Sequence, residues 1–187
     1  KATEDVTWRG AFFHSVSART AGFSTYQLGN FTTSGLMVLI VLMFIGASPG
    51  STGGGIKTST FFVLVQSIKA MATNKSEKAF HYSLPANAFR KAAVITLLAL
   101  GVVLTGTYLM SVMEPHLSLS DILFEVTSAF GTVGLSTGIS PGLSVGSKVL
   151  TILIMYIGRL GPLTIATLWH FSRGERTSYP EGNIAIG

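Results

Sequence analysis

Long apolar runs alternate with short polar stretches along this chain, and the lengths of the runs predict its elements. The runs Ala92 to Met113 and Val149 to Phe171 carry at most one charge. Each is long enough to cross a bilayer core, which takes roughly 20 helical residues. Phe12 to Ala18 and Asp121 to Phe130 are too short to span, and each ends at a polar turn. We interpret these two as half-helices that enter the membrane and stop.

A glycine-rich stretch interrupts another apolar run. The run from Gly35 stops short of a full span, and the chain resumes as a predicted helix from about Ile56. Irregular backbone at membrane depth is tolerated only where it is buried in protein or lines water. We therefore predict one broken membrane helix. Its break, called the glycine segment below, comprises Ala47, Ser48, Pro49, Gly50, Ser51, Thr52, Gly53, Gly54 and Gly55.

The chain repeats itself after 112 residues. Laying Phe12 to Gly46 over Phe124 to Gly158 without a gap gives nine identities in 35 positions. Chance would supply fewer, so an internal repeat accounts for the match better. The repeated unit contains a polar turn and the apolar helix that follows it.

The two polar turns form the candidate cation site. In each, a Thr hydroxyl and a run of backbone carbonyls surround one Gly, which can take φ > 0 without steric cost. Carbonyls that point the same way can replace the hydration shell of a cation. The first filter turn is Thr20, Ala21, Gly22 and Phe23, and the second is Thr132, Val133, Gly134 and Leu135.

Two basic residues accompany the glycine segment. Lys57 follows it after Ile56, and the 112-residue register places Arg159 level with Ala47. An Arg at membrane depth is costly and should find acceptors. Carbonyls freed from the broken helix would supply them, so Arg159 either latches a gate or ties two helices together. Arg19, beside the first turn, either pairs with Glu125 or lies solvated at the outer rim.

Composition and charge indicate a membrane protein with a defined orientation. Of 187 residues, 48% are hydrophobic and only 11% are charged. Soluble domains carry about 25% charged residues. The net charge of +5 comes mainly from the loop from Lys69 to Lys91, and Arg173 and Arg176 follow the last span. The positive-inside rule makes both cytoplasmic and gives no reason to expect nucleic-acid binding.

Gly50 to Thr58 resembles a nucleotide-binding P-loop but fails its spacing. Ile56 separates the last Gly from Lys57, and an apolar membrane run precedes the stretch in place of a β-strand. P-loop nucleotide binding therefore remains a distant alternative, and a non-conducting membrane scaffold is the other.

Taken together, the two turns, the glycine segment with Lys57 and Thr58, and the stretch Gly158 to Pro162 resemble the membrane subunit of Ktr/Trk-type potassium uptake systems, closest to the KtrB branch. The resemblance implies K⁺ held at Thr20, Gly22, Thr132 and Gly134, and a gate made by the glycine segment, Lys57 and Arg159. Ser24 and Ser136 stand where tetrameric potassium channels have a second filter glycine.

The same resemblance implies partners and a location. It implies a homodimer in the plasma (inner) membrane, surrounded by lipid, on a cytosolic ring of nucleotide-binding regulatory subunits. It also implies N-terminal pore repeats in the same protein, because a four-sided cage needs four turns. No cofactor is expected; the transported ion is K⁺, with Na⁺ as a second candidate.

The predicted fold is an all-α membrane protein of repeated helix, pore loop and helix units, as in a potassium-channel-like pore. Residues 1–70 would hold one pore loop and the broken second helix of a repeat whose first helix is missing, and 71–91 the cytoplasmic loop. Residues 92–172 would form a complete repeat, and 173–187 the cytoplasmic tail.

Overall fold

The computed structural model describes residues 6–74, 78–79, 82–85, 87–161 and 164. Helices dominate these residues, as predicted. They are α1 (Trp8–Ser17), α2 (Thr33–Phe44), α3 (Thr58–Thr73), α4 (Ala88–Met113), α5 (Leu119–Phe130) and α6 (Val145–Leu160), with single 3₁₀ turns at Leu28–Asn30 and Ser140–Gly142.

Hydroxyl side chains begin four of the helices. The Thr7, Thr32, Ser118 and Ser144 hydroxyls accept a hydrogen bond from a backbone amide in the first turn of α1, α2, α5 and α6 respectively. Such caps satisfy amides that have no partner within the helix. In α5, which begins at Leu119, the Ser118 hydroxyl accepts from the Asp121 amide at 3.2 Å.

Helix α5 lies at the centre of the fold and packs against α2, α4 and α6. Every residue from Phe124 to Phe130 is buried. One side of the helix joins a core with α4 and α6 through Ile122, Val126 and Phe130. The other side places Phe124 in a second core with α2 and the second filter turn. The short helix is therefore fixed from both sides, and so is the turn at its end.

The outer surfaces of the helices are strongly apolar. Leu97, Leu104 and Tyr108 of α4 and Ile152 of α6 are each more than 60% exposed. Among the described residues, α4 is the one helix long and apolar enough to cross a membrane. The span predicted to end at Phe171 begins in α6, which stops at Leu160 with Gly161 at φ +88°. Its remainder lies outside the described residues, except Thr164.

The predicted basic loop contains a small departure from an all-helical chain. Lys78–Ala79 pairs antiparallel with Tyr82–Ser83 to form a two-residue hairpin. The rest of residues 75–86, apart from 84–85, and the predicted tail, 173–187, lie outside the described residues.

Candidate functional site

Each filter turn directly follows the C-terminal end of a short helix and is hydrogen-bonded to it. After α1, the amides of Ala21 and Gly22 both donate to the Ser17 carbonyl at 3.1 Å. After α5, the Val133 amide donates to the Ser128 carbonyl at 2.9 Å. Each filter turn is thus hydrogen-bonded to carbonyls at the C-terminal end of the preceding helix, and these carbonyls have no partner within the helix.

Alternate residues of both turns have positive φ. The angles are +81° at Thr20 and +75° at Gly22, then +51° at Thr132 and +93° at Gly134. The sequence predicted this freedom for the glycines only. A β-branched residue at positive φ is unusual, so the matching angles at the two threonines are a feature that residue type alone does not reveal.

The backbones of the two turns meet at their glycines. A Cβ placed on Gly22 would lie 2.2 Å from the Val133 carbonyl oxygen and 3.4 Å from the Gly134 Cα. A side chain at Gly22 would therefore push the turns apart. The flanking side chains differ between the turns: Val133 and Leu135 are buried, whereas Phe23 is 71% exposed. The second turn lies in the core and the first at an edge of the described structure.

The glycine segment lies directly against the two turns. The Gly54 amide donates to the Thr132 hydroxyl oxygen at 2.9 Å. A Cβ on Gly53 would lie 2.6 Å from the Thr20 hydroxyl oxygen, which is buried and has no hydrogen-bond partner among the described residues. Gly53 and Gly54 are buried, and their lack of side chains permits this approach.

The ends of the glycine segment are joined to each other. The Gly46 amide donates to the Ile56 carbonyl at 2.8 Å, and the Ile56 amide donates to the Phe44 carbonyl at 3.1 Å. Between these bonds the chain leaves helix α2 and returns to begin α3. Ser48, Pro49 and Gly50 are exposed at the far side of this excursion, and a Cβ on Gly50 would meet nothing within 4 Å.

Two cations contact three successive carbonyls of the glycine segment. The Lys57 ammonium donates to the Ser51 carbonyl at 3.0 Å and to the Gly53 carbonyl at 2.7 Å. The Arg159 guanidinium, at the end of α6, donates to the Thr52 carbonyl between them. These bonds are charge-assisted and so stronger than bonds between neutral groups.

The end of α6 packs tightly on the end of α5. A Cβ on Gly158 would lie 1.9 Å from the Phe130 carbonyl oxygen. Gly158 corresponds to Gly46 in the 112-residue register, where a Cβ would lie 2.1 Å from the Gly54 carbonyl oxygen. The equivalent glycine therefore permits a close backbone approach in both repeats.

Arg19 does not pair with Glu125, so that alternative is wrong. Arg19 is exposed, which agrees with the solvated position at the rim. Glu125 is 6% exposed and accepts hydrogen bonds instead from Ser136 and Ser140. The Ser140 hydroxyl oxygen lies 3.1 Å from each carboxylate oxygen. The nearer hydroxyls satisfy the carboxylate, because the Ser136 and Ser140 loop folds back over α5.

His14 is a second buried polar residue that the sequence did not single out. Its ring is 2% exposed, and its Nε2 lies 3.0 Å from the Ser24 hydroxyl oxygen. The four histidines share no ligand spacing, so the sequence gives no sign that His14 is buried. His116 is exposed, and His81 and His170 lie outside the described residues.

Comparison with known proteins gives the family. Residues 5–173 match the family model TrkH, described as cation transport protein. The chain belongs to this family. The resemblance carried by the two turns, the glycine segment and Gly158 to Pro162 is thereby confirmed.

Curated relatives of this TrkH-family chain include two Ktr proteins. Ktr system potassium uptake protein B of Vibrio alginolyticus is 39% identical over 183 residues, covering 96% of this chain and 40% of that protein. Its namesake in Bacillus subtilis (strain 168) is 37% identical over 186 residues, covering 98% of this chain and 41% of that protein. The chain therefore spans about two fifths of the length of these relatives.

A solved structure shares the fold. The crystal structure of the potassium transporter TrkH from Vibrio parahaemolyticus matches with a TM-score of 0.69 and 21% identity, covering 87% of this chain and 37% of that one. At this identity the match shows the fold of the chain, and it agrees with the helical architecture described above.

Proposed function

We propose that this chain forms part of a potassium uptake pore in the plasma membrane, with the two filter turns holding a dehydrated K⁺ and the glycine segment gating the path beside them. Membership of the TrkH family of cation transport proteins supports the transport class. The two Ktr relatives are named as potassium uptake proteins, which supports potassium as the ion.

The meeting of the two turns at Gly22, Val133 and Gly134 is the observation that carries the proposal. Positive φ at every second residue lets successive carbonyls face one side, and oxygens so arranged can replace the water around a cation. The outermost carbonyl of the first turn, that of Phe23, already accepts from the Ser17 hydroxyl at 2.5 Å. We infer that this side of the cage is weaker than the side built by the second turn.

The gate proposal rests on where the glycine segment lies. It contacts the Thr20 and Thr132 hydroxyls, so in this arrangement chain occupies the space next to the proposed ion site. Its carbonyls are held by Lys57 and Arg159. We interpret α2, the glycine segment and α3 as one broken second helix, and Arg159 as the latch of a closed gate.

The assembly proposals follow from the family resemblance. Two turns cannot enclose an ion on four sides, so further repeats of the same protein would complete the cage. A homodimer on a cytosolic nucleotide-binding ring would then bias the gate. The P-loop alternative has no structural support in the described residues, because helix α2 precedes the glycine segment.

Substitution of the filter glycines in the full-length transporter tests the function. Gly134→Ala places a side chain at φ +93° with its nearest neighbour 3.8 Å away. The turn must therefore change its backbone angles, although the side chain has space. Strain of about 1.4 kcal/mol corresponds to a tenfold change in an equilibrium. We expect K⁺/Na⁺ discrimination in proteoliposomes to fall about tenfold. Gly22→Ala should be more severe because it also meets the Val133 carbonyl.

Gly142→Ala is the matched control, since a Cβ there meets nothing within 4 Å and its φ is not positive. Wild-type discrimination in the Gly134→Ala and Gly22→Ala proteins, at normal expression and folding, would remove the filter assignment. Absence of K⁺ flux in the wild-type protein itself would favour the scaffold alternative.

A further inference from the structure

A buried carboxylate lies behind the second filter turn. Glu125 is on α5, between the apolar residues Phe124 and Val126. Burying a carboxylate in apolar surroundings costs free energy that only hydrogen bonds or opposite charge can offset. The Ser136 hydroxyl donates to this carboxylate, and the Ser140 hydroxyl lies 2.9 Å from the Ser136 oxygen. The carboxylate is therefore joined to the second filter turn and the loop after it through two hydroxyl groups.

The first repeat has a corresponding contact. The His14 ring on α1 lies 3.0 Å from the Ser24 hydroxyl oxygen through Nε2, and 2.9 Å from the Gly10 carbonyl oxygen through Nδ1. The Ser24 hydroxyl also lies 2.5 Å from the Tyr26 carbonyl. The His14 ring is held among Phe13, Tyr26 and Phe31, so it offers a rigid partner to the serine.

The two contacts involve equivalent serines on the turns but different kinds of residue on the helices. Ser24 and Ser136 occupy the same position of the 112-residue register, directly after the last residue of each filter turn. Their partners do not correspond, because the register places His14 over Val126 and Glu125 over Phe13. A contact that recurs through unrelated side chains is better explained by a shared requirement at the serine than by duplication of the repeat.

That requirement is to hold the outer end of the turn. Each turn has one glycine, and a serine stands where a second glycine would make the backbone more flexible. The position of the last carbonyl of the turn therefore depends on the position in which the serine is held. The hydroxyl attaches the serine to the helix from which the turn hangs. In the second repeat this contact links the end of the turn to α5. In the first repeat the Ser17 hydroxyl, which donates to the Phe23 carbonyl, adds a second link to α1.

We propose that His14 and Glu125 are positioning residues, which hold the outer ends of the two filter turns through Ser24 and Ser136 and thereby set the ion selectivity of the pore. The inference rests on the proposed function. It assigns to these side chains no contact with the ion itself.

Selectivity of the full-length transporter in proteoliposomes tests the proposal. Ser136→Ala removes the hydroxyl and is expected to lower K⁺/Na⁺ discrimination about threefold to tenfold while K⁺ uptake continues. Ser136→Thr keeps a hydroxyl and should restore most of the discrimination. Glu125→Gln keeps an amide oxygen that can accept from the Ser136 hydroxyl, so it should lose less discrimination than Ser136→Ala. The double variant should match Ser136→Ala, because the contact is then already absent. Ser24→Ala and Ser24→Thr repeat the comparison in the first repeat.

Ser67→Ala is the control. Ser67 is fully buried in α3 and its hydroxyl has no hydrogen-bond partner among the described residues. The variant therefore loses a buried hydroxyl without losing a contact, and its discrimination should equal that of the wild type. Should Glu125→Gln fail to fold, the Ala and Thr variants at Ser136 and Ser24 still decide the question.

Unchanged discrimination in Ser136→Ala and Ser24→Ala, measured beside a Gly134→Ala protein that has lost it, would overturn the positioning role and leave the filter assignment standing. A loss that Ser136→Thr does not relieve would also overturn it, because side-chain size and not the hydroxyl would then matter. Full discrimination in Gly134→Ala would instead count against the proposed function.

Discussion

The left-handed angles of Thr20 and Thr132 are the clearest sign of a built site at the scale of single residues. Strained angles cost of order 1–3 kcal/mol each and persist only where the surroundings impose them. Both threonines lie between helix-anchored amides, and the Thr132 hydroxyl is also bonded to the Gly54 amide. The strain is repeated at equivalent positions, which indicates that the direction of the hydroxyls is what the two turns share.

Gly158 carries a prediction at this scale. A Cβ there would overlap the Phe130 carbonyl, which belongs to backbone and cannot turn aside as a side chain can. Gly158→Ala should therefore displace α6 from α5 and lower the free energy of unfolding by about 1–3 kcal/mol, as overpacking does. Thermal unfolding in detergent measures the effect.

Gly101→Ala is the comparison for Gly158→Ala. It lies within helix α4, and a Cβ there meets nothing within 4 Å. Since Ala favours helix over Gly, this variant should be as stable as the wild type or more so. Equal stability of the two variants would show that the contact between α5 and α6 adjusts easily.

Some of these residues could be predicted from the sequence and some could not. Gly22 and Gly134 were found because only glycine takes positive φ freely and because the pattern repeats. His14 was missed, and Glu125 was named only as a candidate partner of Arg19, because their serine partners lie 10 and 11 residues away across a turn. No helical or strand periodicity connects residues at that separation, so the contact depends on how the turn folds back.

At the scale of elements, the sequence predicted the short helices, the glycine segment and the long helix α4, with errors at the ends. Helix α4 begins at Ala88 and not at Ala92, so Arg90 and Lys91 belong to its first turn. The uncharged run that predicts this helix starts only after these two basic residues. Long basic side chains can extend to the membrane surface while their backbone is helical, which is why charge marks a membrane boundary better than it marks a helix end.

The gate is tested by loosening the glycine segment. Deleting Ser51 to Gly55 removes the two glycines that lie against the filter threonines, and K⁺ flux should rise in proteoliposomes without regulatory subunits. Arg159→Gln should raise flux less, since it loses a charge-assisted bond to the Thr52 carbonyl, worth about 1.5–3 kcal/mol.

Lys148→Gln is the control for the gate. Lys148 lies on the same helix, α6, and donates to the Pro141 carbonyl at 3.2 Å, at the end away from the glycine segment. It loses a bond of the same kind and should leave flux unchanged. Folded deletion and Arg159→Gln proteins that conduct no faster than the wild type would make the segment a structural kink.

A second element-scale prediction concerns Glu114, which joins the end of α4 to the start of α6. Its carboxylate accepts from the Ser144 amide at 2.7 Å and from the Ser147 hydroxyl at 2.8 Å. Chiefly because of the Ser144 amide, the pKa of Glu114 falls from 4.5 to about 2. A lowered pKa stabilises the folded state above pH 4.5, and that stabilisation is lost as the pH falls from 4.5 towards 2.

Glu114→Gln should remove this pH-dependent contribution. Thermal unfolding measured between pH 6 and pH 3 should show a steeper loss of stability with acid in the wild type than in the variant. Other carboxylates are common to both proteins and cancel in the difference. Parallel curves would mean that the contact does not distinguish the charged carboxylate from a neutral amide.

At the scale of the whole molecule, the apolar exterior and the charge asymmetry predict how the chain lies in the bilayer. The exposed leucines and isoleucines of α4 and α6 form an apolar surface, whereas proteins in water expose mainly small apolar patches. Basic residues gather in the loop from Lys69 to Lys91 and follow the last span at Arg173 and Arg176, so by the positive-inside rule we expect both regions to be cytoplasmic.

Cysteine labelling tests this orientation, and these 187 residues contribute no Cys of their own. Cysteines placed at Ser76 and Ser178 should be protected from an impermeant reagent in right-side-out vesicles. A cysteine at Ser120, in the first turn of α5 and on the side expected to face outward, should react. Reaction at either of the first two positions would reverse the assigned topology.

One oxygen atom is shared by the proposed gate and the proposed filter. The Thr132 hydroxyl accepts from the Gly54 amide, and under the proposed function the same residue is part of the ion site. A hydroxyl oxygen that gives electron density to a cation is a poorer acceptor for an amide. Linkage is reciprocal: if a bound ion favours release of the glycine segment by some factor, release of the segment strengthens ion binding by the same factor. Typical coupling free energies are about 1–3 kcal/mol. Potassium would then be an effector of its own passage, and external K⁺ concentration would be an input to gating before any regulatory subunit acts.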